Sequence, residues 1–163
     1  MASNQPTQAI DVIPSDNINI PEPGSYITGV NSGSGTTLTT VGAKFLGTFN
    51  AAKTGYSNKV AAGDVIYEGS NIVTVVSVDS DEQLTVSGTL TGAGASYQIY
   101  RANTATSEGF SLFVGTAGDL VVIPASSGDI VKLKNIANNS YVPLQVARVL
   151  SSSTTAGDII ALR

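Results

Sequence analysis

The chain carries twelve Asp and Glu, eight Lys and Arg, and neither histidine nor cysteine. A Ser-His-Asp triad, a Cys-His pair and a histidine- or thiolate-anchored zinc site therefore each lack an essential member. Carboxylate chemistry remains. A glycosidase needs two acids facing each other across a sugar, usually beside aromatic platforms, yet tryptophan is absent and nearly every acid sits in a turn beside Gly or Ser. Asp79-Ser80-Asp81-Glu82 gathers three acids whose oxygens suit calcium. It lacks the twelve-residue spacing of the helix-loop-helix calcium motif and reads as a solvated hairpin tip. Gly33-Ser34-Gly35-Thr36-Thr37 matches part of a phosphate loop, but no Lys follows and no helix opens, so it reads as a linker. Lys132, Lys134 and Arg148, with Tyr141 nearby, form either a small basic patch for an acidic surface or sugar, or an ordinary solvent face. No catalytic, cofactor-binding or metal-ligating residue is expected, and the chain does not read as an enzyme.

The elements that must position these residues are strands. In the stretch 110–163, Phe110, Leu112 and Val114 alternate with smaller or polar residues. The pattern returns at Leu120 to Ile123, Val131/Leu133, Val142/Leu144/Val146 and Ile159-Ile160. Short period-2 apolar runs separated by Gly, Ser, Asn and Asp predict an antiparallel sheet. The expected fold class is all-β, an antiparallel β-sandwich or barrel-like domain with a small inserted β-barrel or meander unit. Residues 1–9 are polar and expected to be flexible. Residues 10–35 should form an extended arm and the first strand of the main domain. Ile10, Val12, Ile13, Ile18 and Ile20 supply the arm's apolar side chains, and Pro14, Pro21 and Pro23 keep it out of a sheet centre. The arm either straps its own core or reaches a neighbouring subunit. The inserted unit is expected at 36–102, with a polar loop over 50–59, and the main domain resumes over 103–163. Gly-Asp followed by two apolar residues occurs at Gly63, Gly118, Gly128 and Gly157, and predicts four alike turns entering buried strands.

Charged residues make up only 12% of the chain, about half the usual share. So neutral a surface suits lying against other protein. A net charge of −4 argues against a general grip on nucleic acid. No apolar run reaches the roughly eighteen residues of a membrane span, and the first residues lack the pattern of a signal peptide. A cytosol, or an assembly built there, is the expected setting.

Several segments carry a resemblance. Leu112-Phe113-Val114-Gly115-Thr116-Ala117-Gly118-Asp119-Leu120, Lys134-Asn135-Ile136, Val142-Pro143-Leu144-Gln145-Val146, Arg148-Val149-Leu150 and Thr154-Thr155-Ala156-Gly157-Asp158-Ile159-Ile160-Ala161-Leu162 occur in this order. Together they resemble a group of small tailed-phage virion proteins, which includes the head-spike base proteins of phages and gene-transfer agents and virion structural proteins of cyanophages. Val12-Ile13-Pro14-Ser15-Asp16 resembles the motif that commonly begins those chains. The resemblance implies a homo-oligomer, trimer or pentamer, that binds the major capsid protein on the virion surface after assembly in the host cytoplasm. Its role would be a decoration or cement protein, or the base of a vertex spike. It implies no cofactor, no direct nucleic-acid contact and no membrane. A tail, neck or fibre-associated structural protein would share these features. A carbohydrate-binding module would instead need an aromatic cluster, best placed around Tyr97 and Tyr100.

Overall fold

The computed structural model describes residues 5–50, 55–103 and 109–163. Fourteen strands and no helix occur among them. In chain order they are β1 (Ala9–Asp11), β2 (Ile27–Val30), β3 (Gly35–Thr39), β4 (Thr48–Asn50), β5 (Gly55–Ser57), β6 (Val65–Glu68) and β7 (Asn71–Val78). β8 (Gln83–Leu90), β9 (Ser96–Tyr100), β10 (Phe110–Thr116), β11 (Gly118–Pro124), β12 (Val131–Ile136), β13 (Ser140–Val149) and β14 (Gly157–Leu162) follow. The chain divides into two compact units, one made of 1–24 with 103–163 and the other of 25–102.

The first unit is a six-stranded antiparallel sheet in the order β1-β14-β10-β13-β11-β12. The apolar alternation seen in the sequence becomes its core: Phe110, Leu112, Val114, Leu120, Val122 and Val146 are all fully buried. Two glycines admit close backbone approaches there. A Cβ on Gly118 would lie 2.4 Å from the Ala156 nitrogen, and one on Gly115 would lie 2.8 Å from the Asp158 Cβ. The four Gly-Asp sites are not alike. Gly63 and Gly128 have positive φ, whereas Gly118 and Gly157 start strands and at the last site it is Asp158 that takes φ of 51°. Close packing demands glycine at 118, a requirement that leaves the same dipeptide in sequence as a turn does.

The second unit holds a six-stranded antiparallel sheet in the order β2-β9-β6-β7-β8-β3, plus the β4-β5 hairpin. Its edge strands β2 and β3 are joined by only four residues. Laid flat, six strands would hold those edges roughly 24 Å apart, while such a connection reaches at most about 17 Å. The sheet must curl, and it forms a half-barrel around Leu38, Phe45, Ile66, Leu84, Tyr97 and Ile99. Ser32 N–H donates to the Thr39 carbonyl at 2.7 Å, and the Thr40 hydroxyl to the Val30 carbonyl at 3.0 Å, across the two edges.

Two expectations about boundaries change. The inserted unit begins at Ser25 rather than at 36, because Ile27–Val30 pairs with β9 and not with the main sheet. The Gly-Ser run at 33–35 joins two edges of one sheet. Within 50–59, Asn50 and Gly55–Ser57 belong to a hairpin, and 51–54 lie outside the described residues. Of the N-terminal segment expected to be flexible, 1–4 also lie outside them, while Thr7 and Gln8 both donate to the Arg163 carbonyl.

Candidate interaction surface

Among the described residues the sheet of the first unit ends in two open edges, β1 and β12. In β1, Gln8 and Arg163 exchange both backbone hydrogen bonds and Val12 N–H donates to the Ile159 carbonyl. Antiparallel strands alternate inward and outward peptide groups. Those of Gln8, Ile10 and Val12 therefore face β14, and those of Ala9 and Asp11 face out. In β12 the same logic applies. Leu150 N–H donates to the Val121 carbonyl, which turns residue 121 toward β13. Leu120 and Val122 thus serve their register partners Leu133 and Val131, so the peptide group of Lys132 between them faces out, and the register shifts just beyond, at Lys134-Asn135.

The arm lies on its own unit. Ile10 and Ile20 are buried, at 6% and 4% exposure, while Val12, Ile13 and Ile18 are half-buried. Ser15 N–H donates to the Val149 carbonyl and Ile20 N–H to the Ala147 carbonyl. The Arg148 guanidinium donates to Asn19 Oδ1 at 2.9 Å and to the Asp16 carbonyl at 2.8 Å, and Arg163 pairs with Glu22. Asp16 accepts from the hydroxyl and the backbone N–H of Ser152 at 2.6 and 2.9 Å. The hydroxyl bond first, then the backbone bond, holds its carboxyl below the usual range.

The expected basic patch divides. Arg148 is occupied by the arm, and Tyr141 is exposed on β13, whose neighbour there is β10. Lys132 and Lys134 share the exposed face of β12. Lys132 Nζ lies 2.9 Å from Asp119 Oδ2, and this bond is the main reason the Asp119 carboxyl is lowered. Beside them a cleft of about 550 Å³ is lined by Val121, Ile130, Lys132, Leu150 and the Asp16-Ser152 pair. Ile130, at its rim, is 67% exposed. Near the opposite edge, Asp11, Val12, Asp158 and Ile159 line a second hollow of about 380 Å³.

In the second unit the acids have structural partners. Asp64, 4% exposed, accepts from the Tyr26 hydroxyl at 2.6 Å, Ala61 N–H at 2.9 Å and Arg101 at 3.1 Å. Burial first, then the bond to Asp64, pushes the Tyr26 hydroxyl far above the ordinary tyrosine range. Glu68 is fully buried, accepting from Asn31 Nδ2 at 2.9 Å and from Thr91 N–H. At the acidic tip, Asp79 accepts from Ser77 and Thr85, Asp81 from Leu46 N–H, and Glu82 from Gly42 N–H. These hydroxyls hold Asp79 below the usual range. Each acid of the tip thus turns to its own donor. Among the described residues no group of three or more Asp and Glu could hold a metal ion. Tyr97 and Tyr100 are 1% and 8% exposed, so the aromatic platform considered at these positions does not face solvent. The period-2 pattern buries Tyr97 in the half-barrel, and Tyr100 packs on Tyr67 with ring centroids 4.9 Å apart.

The buried pair Asp64 and Glu68 was invisible as such in the sequence, because both acids sit beside glycine in apparent turns. The usable signal was Val65-Ile66-Tyr67 between them, a strand buried on both faces. No protein-family model, no curated protein and no solved structure matches the chain.

Proposed function

We propose that the chain is a structural protein of a tailed-phage virion, a head decoration or cement protein that binds the shell of the major capsid protein. A vertex spike base is the other seat on the same shell. The observation that carries this reading is the first unit, a charge-poor sheet with two open edges and exposed Ile130 and Tyr141. Open edges and apolar side chains suit static association, in which standard interfaces bury on the order of 1,600 Å². The segments that resemble the phage proteins support the same unit, since they fall on the arm and on β10 to β14. The half-barrel lies outside the resemblance. Electron cryomicroscopy of particles from cells expressing the chain tests the proposal. Density for the unit on the outer shell is expected, and density on the tail or neck would move the protein to the alternative class. A chain missing from purified particles would overturn the reading.

A further inference from the structure

We infer that the two open edges of the first unit's sheet are complementary, so that copies of the chain join head to tail with β1 of one paired to β12 of the next. The inference rests on the structural-protein reading above and names the contact between copies.

Strand direction is the first condition. All five pairings in this six-stranded sheet are antiparallel, so β1 and β12 run in opposite senses. A second copy rotated about an axis along the strands therefore presents its β1 antiparallel to β12. Peptide groups are the second condition. Ala9 and Asp11 face outward on one edge, and Lys132 faces outward on the other. Hydrogen-bonded antiparallel partners exchange both bonds, so Asp11 set opposite Lys132 matches the outward groups of that pair and brings Ala9 opposite Lys134, where the β12 register shifts.

Side chains agree with that register. Asp11 and Ala9 are exposed, as are Lys132 and Lys134. Ile10, buried toward the core, falls opposite half-buried Leu133. One step further the register sets Val12 against Val131 and half-buried Ile13 against Ile130, giving the exposed isoleucine an apolar neighbour. Charge agrees as well. On the β12 side Lys132 pairs with Asp119 and Lys134 lies in its field, with Asp16 in the adjoining cleft, whereas Asp11 and Asp158 flank the hollow on the β1 side. Pairing β12 with its own copy about a two-fold axis centred on Leu133 would oppose Lys132 to Lys134, and like charges directly opposite are unfavourable. Lysines on an edge strand discourage self-pairing of that edge while leaving it open to an acidic one. A contact between unlike edges is heterologous and forms a ring when its rotation closes.

Cross-linking tests the contact directly, because the chain has no native cysteine. Asp11→Cys with Lys132→Cys in one full-length chain should give a ladder of disulfide-linked multimers under mild oxidation, lost on reduction. Each single variant should stop at a dimer or below. Native mass spectrometry adds an independent reading. Asp11→Lys and Lys132→Glu should each weaken self-association at least tenfold, and mixing the two variants should restore it. Oxidised monomer alone, or a native chain that is monomeric at its highest soluble concentration, would overturn the inference. A monomer found on particles removes this contact and leaves the functional reading standing. A cross-linked ring absent from particles does the reverse.

Discussion

Tyr26 donates to Asp64 at 2.6 Å while the Arg101 guanidinium lies 3.8 Å over its ring, so one phenol is bound to an acid at its edge and a cation at its face. A hydrogen bond to a charged group contributes about 1.5–3 kcal/mol. Replacing the hydroxyl still leaves Asp64 with Ala61 N–H and Arg101, so Tyr26→Phe should cost about 1–2 kcal/mol at pH 7. The pH dependence has a definite sign. Burial and Asp64 raise the folded-state value of Tyr26 well above that of the unfolded chain. The phenol's contribution is therefore complete below pH ~10 and is lost as pH rises above it, when only the unfolded tyrosine ionises. The gap between native and Tyr26→Phe chains, measured by urea unfolding, should narrow between pH 8 and pH 11. A gap of constant size would mean that the tyrosine is not shielded in this way.

At the scale of elements, β2 is held at both of its flanks from β6, across the intervening β9. Tyr26 precedes β2 and reaches Asp64, just before β6, while Asn31 follows β2 and reaches Glu68, the last residue of β6. Asn31 Oδ1 also accepts from Gly33 and Thr39 N–H at 2.7 and 3.2 Å, so one fully buried amide joins two backbone N–H groups and the Glu68 carboxylate. Asn31→Asp would set a second carboxylate against Glu68. Two such groups cannot both ionise in a buried site, so one would bind a proton with a raised pKa. Stability of the variant should then be greatest in mild acid, fall as pH rises from the ordinary carboxylate range of the unfolded chain toward that raised value, and level off beyond it. The prediction is that Asn31→Asp is more stable at pH 5 than at pH 8, whereas Asn31→Ala is about equally weakened at both. Equal behaviour of the two variants would show that Asn31 and Glu68 do not form one buried unit. The strands themselves were legible, since Ile72 to Val78 is a β-branched apolar run and Leu84 to Val86 alternates, and they form strands β7 and β8. The role of β2 was not. Period 2 places a strand but does not name its partner, and Gly33-Ser34-Gly35 has the composition of a linker whether it spans domains or closes a curled sheet. Gly29 held an unused clue, because glycine inside a strand signals close approach. A Cβ there would lie 2.6 Å from the Tyr97 hydroxyl, its β9 partner.

For the whole molecule, the break between units falls just after Pro21-Glu22-Pro23-Gly24 and not at the glycine-serine run. Prolines that remove ladder donors end the arm, and the next residue able to pair belongs to the other sheet. The half-barrel is therefore continuous in sequence, whereas the main sheet is assembled from two distant pieces, one of them only the arm. This division gives the arm a structural duty whatever else it contacts. Removing residues 1–22 deletes β1 and buried Ile10 and Ile20, and strips Arg148, Ser152 and Arg163 of their partners. Truncating a single buried Ile to Ala costs about 2–5 kcal/mol, and domain stabilities are about 5–15 kcal/mol. The truncated main sheet should thus lose its cooperative fold, while the half-barrel, which shares none of those residues, keeps its own. Hydrogen exchange should show amides of β10 and β14 unprotected and those of β6 and β9 still protected. Protection retained in β10 and β14 would mean that the arm is a dispensable attachment free to leave its own sheet. Loss of protection would mean that deletion confounds stability with binding, so that only exposed substitutions, Asp11→Lys among them, can isolate what the arm contributes to association between copies.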